Sequence, residues 1–468
     1  MAIVEAGPLY PRRVGTVASI LLTTAGVGTL LWLSKRHGFL GPVVLALLVR
    51  FTVMIIAHEA SLASGDQGFF HVDDAGYLQR ATAFASDWSH GVWHDPSAAG
   101  YGGTYLVGYE ALLGALFVLT GPSLLFGTIV NIVLGSAVVL VSGLIARRLF
   151  SETVARRAAW ICAVLPTAVW WSVTLTKEPV ITLAFVTAVL GYICLPDRRA
   201  IAALSVSLIG LLLLRPTADV ALIVTAMVVE GARALNGGRP AVRRFAAVAA
   251  FATGVAGLAL LVMSMGGWFG SALNEFWSTA GSTITFYHAG LQRLPLNTAK
   301  IVIAPFPWAF DAATRNWYRA LYPGMWVLFV LYLVGLVGAW RGRYRQDVRF
   351  VVCAMLVLVL LLAFTIGVAF RQRSAIEPLV AVLAAAGAWS AAQAWRAGLA
   401  GLTVAGATTA VAASSWVALV VGALGLAGLI VIQVVDRSGT TWPRVGDRRT
   451  GAAEGPTVAQ VFPEGPNT

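Results

Sequence analysis

Four carboxylates and five cations stand out in this chain because nearly everything around them is apolar. The carboxylates are Asp73, Asp74, Glu110 and Glu178, and the cations are Arg80, Lys177, Arg215, Arg371 and Arg373. Arginine offers a planar fork that matches phosphate oxygens, and lysine a compact point charge. Together they have the chemistry to hold an anion such as a lipid phosphate or diphosphate. The plainer alternative is that each cation snorkels to an interface or pairs with a nearby carboxylate.

The densest stretch is His71-Val72-Asp73-Asp74-Ala75-Gly76-Tyr77-Leu78-Gln79-Arg80. Aspartate is a good helix N-cap, and Ala75 to Trp88 reads as a helix with Leu78, Ala81, Ala85 and Trp88 on one face. Consecutive helical residues point about 100° apart, so the two carboxylates cannot share one task. One could cap the helix or bind a cation while the other acts as general base on an acceptor hydroxyl. Asp73 is taken as the base and Asp74 as the cap or cation ligand. A second charged group, Lys177-Glu178-Pro179, follows a Pro166 kink and the Trp170-Trp171 pair. It reads either as a membrane-interface turn or as a second acidic residue with a phosphate-binding lysine beside it. The loop histidines His58, His71, His90, His94 and His288 form no helix-borne ligand pair, and Cys162, Cys194 and Cys353 have no metal-ligand spacing. Neither a zinc site nor a disulfide framework is expected.

The elements that must hold these groups are membrane helices. The chain has 468 residues, 58% hydrophobic and 12% charged, with mean hydropathy +0.79; soluble domains carry about 25% charged residues. Apolar runs of about 20 residues recur throughout, which predicts an all-α, polytopic membrane protein. Spans are predicted near 14–33, 39–57, 124–145, 158–175, 179–195, 201–214, 217–234, 244–265, 325–340, 350–370 and 376–395. The run 398–434 would be roughly 55 Å long as one helix and is split near Ser414-Ser415, giving about thirteen spans. No cleavable signal peptide is expected, because the run after Arg12-Arg13 is long and another follows it closely.

The net charge of +12 reflects topology rather than a nucleic-acid partner. Basic residues gather in linkers (Arg147-Arg148 with Arg156-Arg157; Arg198-Arg199; Arg233 to Arg244; Arg341 to Arg349), which the positive-inside rule makes cytoplasmic. Alternation then puts outside Asp73-Asp74, Lys177-Glu178, Arg215-Pro216, loop 266–324 and Arg371-Gln372-Arg373, provided that 104–121 does not cross but forms an amphipathic juxtamembrane or re-entrant helix. Arg50, inside a span, either snorkels or pairs. Residues 1–435 form one transmembrane domain, with outer loops at 58–123 and 266–324; 436–468, rich in Gly, Pro, Arg and Glu, is expected to be a disordered cytoplasmic tail.

The order of these features resembles the GT-C superfamily of polyprenyl-phosphate-sugar-dependent glycosyltransferases, in particular bacterial relatives of the protein O-mannosyltransferases and of the lipid A aminoarabinose transferase. The resemblance is carried by Asp73-Asp74-Ala75-Gly76-Tyr77, the helix Tyr109 to Gly121, the basic turn Ala146-Arg147-Arg148-Leu149-Phe150, the stretch Pro166 to Glu178, and Arg371, Arg373 and Pro378. It covers roughly 39–395. The family often has Asp-Glu in place of Asp73-Asp74, Asp in place of Glu178, and one span before the acidic loop rather than two. The resemblance implies a multi-pass plasma-membrane enzyme with its active site on the outer face. It would move a sugar from a polyprenyl-phosphate donor to a glycan, lipid or protein acceptor. Asp73 or Asp74 would be the catalytic carboxylate and Glu178 a second acidic residue. Lys177, Arg215, Arg371, Arg373 and Arg80 would hold the lipid phosphate, and Tyr77, Tyr105, Tyr109 and Glu110 the acceptor or sugar. Some relatives use a divalent cation, so Mg²⁺, Mn²⁺ or Ca²⁺ on Asp73, Asp74 and Glu178 is left open.

Two other readings compete. A polysaccharide polymerase or ligase acting on a lipid diphosphate would lean on Arg371 and Arg373. A transporter or flippase would show inverted repeats and midplane charges; no repeat is evident, and apart from Arg50 the charges gather at one face.

Overall fold

The computed structural model describes residues 12–63, 72–92, 108–236, 294–303, 322–365 and 370–387, with isolated positions at 65, 68 and 69 and between 242 and 254. All regular structure among them is helical. The helices are α1 (Arg12–Arg36), α2 (Leu40–Ala63), α3 (Val72–Ser89), α4 (Gly108–Thr120), α5 (Leu124–Leu149), α6 (Glu152–Val164), α7 (Pro166–Ser172), α8 (Glu178–Ile193), α9 (Arg198–Leu214) and α10 (Pro216–Asn236). They continue with α11 (Leu294–Ile303), α12 (Tyr322–Arg341), α13 (Gln346–Thr365), a 3-10 segment (Phe370–Ala375) and α14 (Glu377–Gly387).

Local sequence sets many of these boundaries. Ser123 accepts from Phe126 N–H to start α5, and Ser151 accepts from Val154 N–H to start α6. Pro166 and Pro179 sit in the first turns of α7 and α8, where a missing N–H is harmless. Four described helices are long and apolar enough to cross a membrane: Gly15–Arg36, Leu40–Ala63, Leu124–Leu149 and Gln346–Phe364. The predicted span 158–175 is two helices instead. Leu165, extended at φ −61°, ψ 113°, separates α6 from α7, because Pro166 cannot donate to the preceding turn and pushes its predecessor out of the α region. Helix α4 has 13 residues, about 20 Å at 1.5 Å per residue. That is short of a hydrocarbon core of about 30 Å. Gly121, at φ +76°, ends it. The predictions for 398–434 and the tail 436–468, nearly all of that for 244–265 and most of that for loop 266–324 lie outside the described residues.

The helices alternate between two ends of a bundle. At one end the basic linkers meet: Arg147 Nη2 donates to His37 O, Arg345 donates to Leu149 O, Arg341 Nη1 donates to Ala386 O, and Arg233 lies 3.9 Å from Asp347. At the other end lie the start of α3, the turn 173–177, the α9–α10 junction and the 3-10 segment. Helix α5 runs through the middle, packed on α2, α6, α8 and α14. Lipid tails are as apolar as these side chains, so close backbone approach rather than expulsion from water holds such helices together. Gly338 on α12 shows this: a Cβ there would collide with Leu383 O on α14.

Arg50, midway along α2, is 1% exposed. Its burial rules out snorkelling, and among the described residues it pairs with no carboxylate. Its Nη1 donates to Ala46 O at 3.2 Å and to Ala163 O at 2.9 Å. The last four carbonyls of a helix lack partners, and Arg50 supplies one to the carbonyl that the α6–α7 break leaves open.

Candidate functional site

Asp73 and Asp74 lie within the first turn of α3, not before it. Both therefore sit where the helix dipole favours negative charge, but neither is the N-cap residue. Their environments differ. Asp73 is half-buried, whereas Asp74 is fully buried, and its Oδ1 accepts from Leu175 N–H at 3.1 Å. The expectation for Asp74 is a helix cap or a cation ligand; its Oδ1 serves the backbone of another segment, the turn between α7 and α8.

That turn carries Lys177 and Glu178. Lys177 is the residue just before α8, and Glu178 begins it. Glu178 is 1% exposed and its Oε1 accepts from Arg215 Nη2 at 3.1 Å; Arg215 is itself 7% exposed and ends α9. Two direct contacts thus gather the acidic start of α3, the Lys177-Glu178 pair and the α9–α10 junction at one end of the bundle. The 3-10 segment joins them where Thr182 Oγ1, one turn beyond Glu178, meets Ser374 Oγ at 3.3 Å.

The turn is held by side chains. Asn131, two turns into apolar α5, is fully buried. Its Nδ2 donates to Thr174 O and to Thr176 O, both at 2.8 Å, and its Oδ1 accepts from Tyr109 OH at 3.1 Å. Carbonyls only accept, so the amide has one workable orientation. Burial pushes the Tyr109 phenol well above its ordinary range, outweighing its hydrogen bond to Asn131. Tyr109 therefore remains a donor. Its ring meets Tyr77 edge-on, with centroids 5.2 Å apart.

Other candidates have settled into pairs. Arg80 binds Glu110 Oε1 at 2.9 Å and lies over the Tyr77 ring at 5.2 Å. This arrangement matches the plainer alternative of local pairing. Arg373 is 1% exposed; its Nε donates to Glu377 Oε1 at 3.2 Å and its Nη1 to the carbonyls of Ile301 and Val302. Thr167 donates to Glu377 Oε2 at 2.6 Å. Arg373 thus ties α11, α14 and, through Glu377, α7 together. Tyr105 and the Arg371 side chain lie outside the described residues. No three His, Cys, Asp or Glu side chains among the described residues are grouped to hold a metal ion. Asp73, Asp74 and Glu178 do not form such a set.

Sequence reasoning did not single out Asn131, Glu377 or Asp219. Asp219 is a buried carboxylate one turn past Arg215, and its Oδ1 has no hydrogen-bond partner among the described residues. The signal for Asn131 was available: a lone amide inside an apolar span is costly and calls for a partner.

No protein-family model matches the chain, and no curated protein matches it. Among solved structures it is similar to the archaeal oligosaccharyltransferase AglB from Archaeoglobus fulgidus, in complex with an inhibitory peptide and a dolichol-phosphate. The identity is 15% and the TM-score 0.41, over 86% of this chain and 55% of that one. The chain spans about half the length of that protein.

Proposed function

We propose that the protein is a membrane glycosyltransferase of GT-C type. It moves a sugar from a polyprenyl-phosphate donor to a hydroxyl acceptor (glycan, lipid or protein) on the outer face of the plasma membrane. The observation that carries this reading is the hydrogen bond from Leu175 N–H to Asp74. It sets the acidic start of α3 against the turn bearing Lys177 and Glu178, beside Arg215. Sidedness follows from the opposite end, where the basic linkers meet; the positive-inside rule puts that end in the cytoplasm.

Asp73, the less buried aspartate, takes the proton of the acceptor hydroxyl as its oxygen attacks the anomeric carbon. The bond from that carbon to the phosphate oxygen breaks, and its electron pair leaves with the lipid phosphate. Lys177 and Arg215 stabilise the charge that develops there. Glu178 orients Arg215. Tyr77, Tyr109 and the Arg80–Glu110 pair shape the acceptor side.

The test is transfer from a polyprenyl-phosphate sugar in membranes carrying Asp73→Asn, Asp74→Asn or both. Asp73→Asn is expected to lower transfer by about 10²–10⁴-fold. Full activity in both single variants and the double variant would sink the mechanism.

A further inference from the structure

We infer that Asn131 is a positioning residue that sets the donor-phosphate side of the site by clamping the 173–177 turn; this rests on the reading just given. The turn spans only the five residues between α7 and α8, so its backbone groups have few helical partners. Three are met by side chains from two other helices. Asn131 on α5 fills the carbonyls of Thr174 and Thr176, and Asp74 on α3 fills the N–H of Leu175 between them. The Thr174 and Thr176 hydroxyls lie 3.1 Å apart, and Thr174 Oγ1 donates to Trp171 O at 3.1 Å.

The clamp is locked from behind. Tyr109 on α4 donates to Asn131 Oδ1, satisfying the oxygen while the two carbonyls fix the amide's orientation. Phe117, Leu113 and Leu175 crowd the face of α5 one turn earlier, at Gly127. One amide therefore links the α3–α4 side, assigned to the acceptor, to the turn carrying Lys177 and Glu178, assigned to the donor. Bound groups placed by rigid neighbours lose little entropy on engaging a ligand. Lys177 and Glu178 inherit that rigidity from Asn131.

The experiment compares wild type with Asn131→Ala and Tyr109→Phe in lipid nanodiscs. Hydrogen exchange reads the 173–177 amides, thermal unfolding reads global stability, and titration with a polyprenyl phosphate reads the donor side. Asn131→Ala is expected to speed exchange in the turn by about tenfold or more while the α5 and α8 cores stay protected. Polyprenyl phosphate affinity is expected to fall about tenfold, with the unfolding temperature lowered because two buried carbonyls lose their donor. Tyr109→Phe, which keeps both Nδ2 donations, is expected to give a smaller effect of the same kind; it also serves if Asn131→Ala does not fold. Unchanged exchange in the turn for the variants that fold overturns the clamp. Faster exchange with wild-type phosphate affinity overturns the positioning role. A wild type that does not bind polyprenyl phosphate overturns the glycosyltransferase reading instead, and the exchange data still decide the clamp.

Discussion

Adjacent aspartates with different surroundings should respond differently to the same change. Asparagine at 74 keeps an oxygen that can accept from Leu175 N–H, so Asp74→Asn is expected to retain the fold and much of the transfer activity. Asp74→Ala orphans that buried N–H, and thermal unfolding in detergent should show a loss of about 1–3 kcal/mol. The Arg215–Glu178 pair allows a sharper separation of stability from chemistry. Glu178→Gln leaves a buried guanidinium without its carboxylate, at a cost of about 3–5 kcal/mol. Glu178→Gln with Arg215→Met removes both charges and should recover most of that stability. If Arg215 neutralises the leaving phosphate, this double variant unfolds near the wild-type temperature yet transfers no sugar. Recovery of both stability and transfer would make the pair purely structural.

The same bundle end also depends on how closely two short helices approach. A Cβ on Gly114 of α4 would lie 2.6 Å from Phe84 Cβ and 3.3 Å from Ala81 O on α3. Gly114→Ala is therefore expected to force α3 away, cost about 1–3 kcal/mol by overpacking and lower transfer by displacing Asp73. Gly28 on α1 has nothing within 4 Å of such a Cβ, so Gly28→Ala is a matched control. Its expected change is neutral to about 1 kcal/mol stabilising, from helix propensity. Equal effects of the two substitutions on unfolding temperature and transfer would remove the α3–α4 contact from the account of the site. The split of α6 from α7 belongs to this scale too. Pro166 announces a kink in the sequence, yet what stabilises the open carbonyl of Ala163 is Arg50, 113 residues away.

For the whole molecule, the two ends predict which side of the membrane each residue meets. In a background without the three native cysteines, Ala75→Cys, exposed at the start of α3, should react with a membrane-impermeant maleimide added to intact cells. Tyr344→Cys, at a position 74% exposed among the basic linkers, should react only after the membrane is opened. The reverse pattern would place the site in the cytoplasm and exclude transfer on the outer face.

Membership of the helical membrane class could be read from the chain because it depends on local composition: apolar runs long enough to span a bilayer must satisfy their own backbone groups. The candidacy of Asp73, Asp74 and Glu178 could be read for a related reason, since charge in so apolar a setting is costly wherever the chain goes. Pairing could not be read, because it joins positions far apart in sequence. Asn131 meets Thr174 across 43 residues, and Thr167 meets Glu377 across 210. Those distances are closed only when the helices pack, and the packing decides which carboxylate each buried cation meets: Glu178 for Arg215 and Glu377 for Arg373. It also gave the two aspartates different surroundings: adjacent on one helix turn, they point about 100° apart, and the turn brought up by α7 and α8 meets Asp74 Oδ1.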